Sequence, residues 1–234
     1  MTVNIGIKAE DETAAGKTIF VYEWPVRLWH WLNALSIVIL AVTGYFIASP
    51  LPSLSGEASD HFLMGYIRFA HFTAAYIFAI GFLVRAYWAL VGNHHARELF
   101  HLPVTSRKWW SEMLHELRWY FFLEKLPNKY MGHNPLAHLM MFLSVTLGGA
   151  FMIFTGFALY GEGAQEGHWS HTLFTSWLIP LFGQSQSVHS WHHLVAWGIV
   201  TFMIVHIYAA LREEAMSRQT IISSMINGTR TFRD

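Results

Sequence analysis

Four histidines, His30, His71, His192 and His206, sit in or at the edges of three of the four apolar stretches of a chain that has no cysteine. Neutral imidazole is a common iron ligand, and a polar side chain inside a bilayer is costly enough to mark function. His192 and His206 share one stretch, fourteen residues apart. Fourteen helical steps fall about 40° short of four turns, so both rings leave on nearly one face. Their heights differ by about 21 Å, roughly two-thirds of a ~30 Å hydrocarbon core. Two rings stacked on one helix face, with one partner each on two other helices, are the donor set for two bis-histidine haems.

Composition limits what can position them. Of 234 residues, 53% are apolar and 13% charged, about half the charge of an ordinary soluble domain. This is one membrane bundle by length and apolarity. A net charge of zero leaves no electrostatic footprint for nucleic acid. Without cysteine there are no disulfides, no protein-ligated iron–sulfur clusters and no covalent c-type attachment. Any haem is held non-covalently, and any iron–sulfur cluster serving this chain belongs to another.

Apolar stretches of crossing length cover about residues 28–48, 62–91, 135–160 and 189–211. They predict an all-α, integral membrane four-helix bundle, with residues 20–212 as its haem-binding domain. Residues 1–19 read as a disordered cytoplasmic tail, without the basic-then-apolar order of a signal peptide. Residues 213–234 read as a second cytoplasmic tail. In RKWWSEMLHELRWYFFLEKLP, from Arg107, the central Glu112, His115, Glu116 and Arg118 argue against a crossing. Each charge would cost about 2.5 kcal/mol or more inside the bilayer, so an amphipathic helix in the interface is expected. The stretch WSHTLFTSWLIPLF, from Trp169, is short and carries Pro180; it reads as an interfacial or docking segment.

Orientation follows from lysine and arginine. Loops 49–61 and 161–188 contain none, whereas thirteen of the fifteen fall in the N-terminal flank, the 92–134 loop and the C-terminal tail. The positive-inside rule places both termini in the cytoplasm. Height then pairs His71 with His192 near the outer surface and His30 with His206 near the inner one. His193 and His189 point about 140° and about 100° away from His206, so His192 is preferred, although an irregular helix start would exchange neighbours. Arg68, three residues before His71, and Arg85, fourteen after it, share its helix face and are candidate partners for anionic haem propionates. Arg85 has an alternative in snorkelling to the cytoplasmic surface. Gly44, Gly148, Gly149, Gly156 and Gly198 offer close approach, either to a macrocycle or between helices.

The segments VYEWPVRLWHWLNALSIVILAVTGYFI, GEASDHFLMGYIRFAH, GNHHARELF, HSWHHL and HIYAALREEAMSRQTIIS resemble the cytochrome b subunit of membrane-bound respiratory nickel–iron uptake hydrogenases, over about residues 20–234. The resemblance implies a protein with two b haems that anchors a hydrogenase dimer to the outer face. It would take electrons from the small subunit's iron–sulfur clusters, beside a large subunit, and pass them to quinone. It also implies ligation by the helix-one, helix-two and helix-four histidines, which are His30, His71, His192 and His206 here. The catalytic centre would lie in the partner chains. The wider family includes the formate dehydrogenase cytochrome subunit, which is the alternative identity. That relative makes Asn134 a candidate beside the quinone, although Asn134 before Pro135 also reads as a helix N-cap. A histidine-lined metal transporter is a further alternative, but such a protein would gather its ligands at one midplane site.

Overall fold

A computed structural model describes residues 18–52, 57, 61–130 and 132–232. The expected tail over residues 1–17 lies outside the described residues. Four helices have the length and apolarity to cross a bilayer: α1 (Trp24–Ala48), α2 (Leu63–Val91), α5 (Pro135–Glu162) and α7 (Ser185–Ser217). Between them lie α3 (His94–Arg97), α4 (Arg107–Tyr120) and α6 (Ser176–Leu181). After α7 come α8 (Ile221–Asn227) and the strand β2 (Thr229–Thr231), which pairs with β1 (Thr18–Phe20).

Each long helix satisfies its backbone internally, as an apolar surrounding demands. The hydroxyls of Ser36, Thr43 and Thr155 bond back to carbonyls one turn earlier, so these side chains need no water. Leu83, Leu90 and Phe69 face outward, 68–74% exposed, as lipid-facing side chains should. Asn134 caps α5, accepting from Ala137 N at 2.7 Å, with Pro135 in the first turn. A π-helical stretch, Phe142–Leu147, interrupts α5.

Contacts divide the chain into two compact units. The first comprises Met1–Leu28, Arg85–Gly148 and Thr201–Asp234; the second comprises Trp29–Val84 and Gly149–Val200. In the first unit, Val21, Tyr22, Val26 and Ala96 form a core against Trp88 and Met225. β1 and β2 run antiparallel, with Ile19 opposite Arg230. Val21 N and Tyr22 N both donate to Gly228 O, and Gly228 itself closes α8 at φ +87°. A Cβ there would stand 2.6 Å from Tyr22 O, so only glycine fits.

Within the stretches expected as tails, the described residues include regular structure. Thr18 and Ile19 are strand, and residues 213–232 are helix and strand. Two three-residue strands carry almost no local signal, and their pairing lies some 200 positions apart in sequence. The expected amphipathic helix is α4, but its polarity is inverted. Glu112 and Glu116 are buried with Trp109, Met113 and Trp119, while Trp110, Leu114 and Leu117 are exposed. The carboxyls face protein because partners wait for them in this unit, which no hydrophobic pattern reports.

In the second unit α1, α2, α5 and α7 contribute to one arrangement. Phe78 packs against Gly149, Trp29 against Gly81, and Tyr76 against Phe157 and Trp169. Ala158, Leu178 and Val188 make its small core. The Trp169 segment does not cross: a π turn (His171–Thr175) leads into α6, and Thr175 Oγ1 donates to Ala158 O at 2.7 Å.

Candidate functional site

Two of the four histidines meet in the second unit. His71 projects from α2 and His192 from α7, within electrostatic reach of each other. Both are held in the same way. Thr43 Oγ1, on α1, lies 2.9 Å from His71 Nδ1, and Thr155 Oγ1, on α5, lies 2.7 Å from His192 Nδ1. Each hydroxyl also reaches a carbonyl one turn back, Ile39 O at 2.6 Å and Phe151 O at 2.8 Å.

A hydroxyl has one proton, and a carbonyl only accepts. The proton therefore goes to the carbonyl, and the hydroxyl accepts from Nδ1–H. That fixes both rings in the Nδ1-protonated tautomer with the lone pair on Nε2. Metal-bound imidazoles are oriented by just such a hydrogen bond through the second ring nitrogen. A glycine follows each threonine. A Cβ on Gly44 would stand 3.3 Å from His71 Cε1, and one on Gly156 would stand 3.4 Å from His192 Cε1. Thr43-Gly44 and Thr155-Gly156 are thus two copies of one seat, a bond to the ring edge beside a gap for its face. The donor set fits a group whose iron takes two axial imidazoles.

His189 and His193 are engaged elsewhere. His189 Nδ1 lies 3.2 Å from Ser185 O, and His193 Nε2 accepts from Trp197 Nε1 at 3.0 Å. His30 belongs to the second unit, its ring 5.1 Å from and edge-on to that of Trp31. His206 belongs to the first, stacked on Phe202 at 5.5 Å. Arg68 is exposed on α2. Arg85 is buried, only 3% exposed, with its guanidinium 5.7 Å from the Phe100 ring, so it does not snorkel to solvent. Asn134 is committed to protein: beyond its cap, Nδ2 donates to Glu213 Oε2 at 2.9 Å. That geometry is the helix cap that Asn134 before Pro135 predicts.

Sequence reasoning missed the threonines, although the doublet TG recurs in VTGYF and FTGFA, one copy per supporting helix. It also missed a polar cluster in the first unit. Glu98 Oε1 lies 2.6 Å from His95 Nδ1, its Oε2 lies 2.6 Å from His133 Nδ1, and the Tyr22 hydroxyl lies 3.2 Å from His133 Nε2. Burial would raise the Glu98 carboxyl, but the hydrogen bonds and charges of His133 and His95 outweigh it and hold the group well below the usual carboxylate range. Burial, chiefly, pushes the Tyr22 hydroxyl up.

A family model described as prokaryotic cytochrome b561 matches residues 21–228. The chain belongs to the prokaryotic cytochrome b561 family. Its relatives in this family include a protein of Azotobacter chroococcum mcd 1, 61% identical over 216 residues, covering 92% of this chain and 90% of the relative. Another, of Cupriavidus necator, is 61% identical over 228 residues, covering 96% and 93%. Both are named "Probable Ni/Fe-hydrogenase B-type cytochrome subunit". A third, of Escherichia coli K12, is 48% identical over 220 residues, covering 92% and 91%, and is named "Probable Ni/Fe-hydrogenase 1 B-type cytochrome subunit". As a cytochrome b561 with four apolar helices of crossing length, the chain is a membrane protein of electron transfer that carries haem b.

Proposed function

We propose that this cytochrome anchors a nickel–iron hydrogenase dimer to the outer face of the bacterial inner membrane and conveys its electrons to quinone, using two b haems. The observation that carries this reading is the doubled Thr-Gly seat, which presents His71 and His192 as Nε2 donors on facing helices. These two ligate the outer haem; His30 and His206 ligate the inner one. When bound, haem supplies a one-electron iron couple. The protein's residues supply the rest: Thr43 and Thr155 fix the ring tautomers, and Arg68 and Arg85 neutralise propionates. The lipid bilayer surrounds the four spans, and the exposed Trp110, Leu114 and Leu117 seat α4 in its cytoplasmic interface.

Several observations support the arrangement. The β1–β2 pair holds residues 18–20 beside residues 229–231, as four crossings with both termini on one side require. The basic residues put that side in the cytoplasm. The relatives' names favour hydrogenase over formate dehydrogenase as the partner. On this reading electrons enter from a small subunit bearing iron–sulfur clusters, beside a large subunit. Asn134, the cap of α5 and donor to Glu213, is the candidate beside the quinone.

A pyridine haemochrome assay on the purified complex tests the count. The expected result is two b haems per chain, with low-spin bis-histidine spectra; one haem in undegraded material would remove a pair. Thr155→Ala gives a finer test. Freeing Nδ1 should weaken haem retention by about 10- to 100-fold, the usual cost of losing a group behind a metal ligand, and Thr155→Ser should restore it. A detergent-dilution series read by haem absorbance measures both.

A further inference from the structure

The first unit contains a second pair of acidic groups that nothing above employs. Glu116 on α4 is 0% exposed. Its Oε1 accepts from Asn128 N at 3.4 Å, and its Oε2 has no hydrogen-bond partner among the described residues. Glu213 on α7 lies within electrostatic reach of it and takes the Asn134 amide at 2.9 Å. The two helices are pinned together at this point. Arg212 donates to Tyr120 O at 3.2 Å and Trp119 O at 3.1 Å, and its guanidinium lies 4.4 Å from the Trp119 ring.

Other groups face the pair. Glu112 adds a third carboxyl one turn before Glu116, and the Tyr130 and Tyr120 hydroxyls stand beside it. Glu98 and Tyr22 lie on the side of the C-terminal strand, where Arg230 is the guanidinium in reach of Glu213. Arg230 NH1 is taken up by the carbonyls of Tyr130 and Gly132, both at 2.7 Å. The two neighbouring carboxyls, Glu116 enclosed and Glu213 partly exposed, disfavour each other's ionised form, against Asn128 and Tyr130 beside the first and Asn134 and Arg230 beside the second. Burial, then the charge of Glu213, pushes Glu116 up to about 7.

Position gives the pair its use. Glu213 follows His206 by seven residues on one continuous helix. Seven steps fall about 20° short of two turns, so the carboxyl lies on the His206 face, about 10 Å further along the axis. At that range a charge beside His206 is felt by the pair.

We propose that Glu116 and Glu213 form a shared proton-binding site that takes up one proton for each electron arriving beside His206. This rests on the reading that His206 holds the inner haem. The electron comes from hydrogen oxidised in the partner, and the proton comes from cytoplasmic water. The proton forms one O–H bond on a carboxylate oxygen, and the added charges cancel. Both leave when the electron moves on to quinone, which gains two electrons and two protons over two rounds. Glu213 is partly exposed and Glu116 enclosed, so Glu213 is the side open to water.

Redox titration of the intact complex from about pH 6 to about pH 8 tests this. The inner haem's potential should become more negative as pH rises in the unmodified protein, because reduction binds a proton there. In Glu116→Gln and in Glu213→Gln the dependence should be lost, with both haem bands retained as the check on folding. A flat profile in the unmodified protein, or full pH dependence in both variants, overturns the proposal. Neither result touches the two-haem reading, which fails separately if His206→Ala leaves the inner haem in place.

Discussion

Replacing His71 or His192 with alanine should leave a chain that holds one haem and no longer reduces quinone with hydrogen. On the proposed reading each ring would hold the outer haem from one side, and a haem iron left with one protein ligand would be neither low-spin nor tightly retained. Loss of a supporting group alone costs up to about 100-fold in affinity, so loss of the ligand itself should exceed that. Hydrogen-driven quinone reduction should fall by more than about 100-fold, while the partner hydrogenase keeps its turnover with an artificial acceptor. The structure adds an internal control. Thr43→Ala removes only the hydroxyl 2.9 Å from His71 Nδ1, so it should loosen the same haem that His71→Ala abolishes and leave the other unchanged. If His71→Ala or His192→Ala retains normal quinone reduction, the outer pair is misassigned.

Much of this site was legible because its signals are periodic. The spacing between His192 and His206 is a property of one helix, so phase and height follow from residue numbers alone. The crossing segments were visible for the same reason, with ends that differ by a few residues: α7 starts at Ser185 and runs to Ser217. The preference for His192 over its neighbours also rested on phase, and in the structure it is His192 that sits on Thr155.

What escaped was contact between distant segments. Thr43 supports a histidine 28 positions away, and Thr155 one 37 positions away. Threonine in an apolar helix is ordinary, since it satisfies itself on the preceding turn. The repetition of Thr-Gly in VTGYF and FTGFA is the one signal in the sequence that points to Thr43 and Thr155. Glu112 and Glu116 misled in a different manner. Charges in an aromatic stretch point to an amphipathic interfacial helix, yet both carboxyls are buried, Glu116 beside Asn128, Tyr130 and Glu213. A buried carboxylate is tolerated where polar groups meet it, and for Glu116 those are Asn128 and Tyr130, from the loop that follows α4. Conversely, the aromatic and aliphatic side chains on the opposite face need no protein partner if lipid covers them.

The electron's exit gives the second large effect. In a His206→Ala complex the outer haem should remain reducible by hydrogen while quinone reduction stops. His192 and His206 are fourteen residues apart on one uninterrupted helix, a rise of about 21 Å. A quinone confined to the cytoplasmic side is poorly reached from the outer level across such a gap, so removing the inner ligand should break the path without disturbing entry. His30→Ala should give the same phenotype if His30 is the second inner ligand, and its haem spectrum should match that of His206→Ala. Stopped-flow reduction by hydrogen, followed in the haem bands and then by quinol formation, separates the two stages. Near-normal quinol formation in a His206→Ala complex that keeps only its outer haem would place quinone at the outer level, and the crossing from His71 and His192 to His30 and His206 would have to be given up.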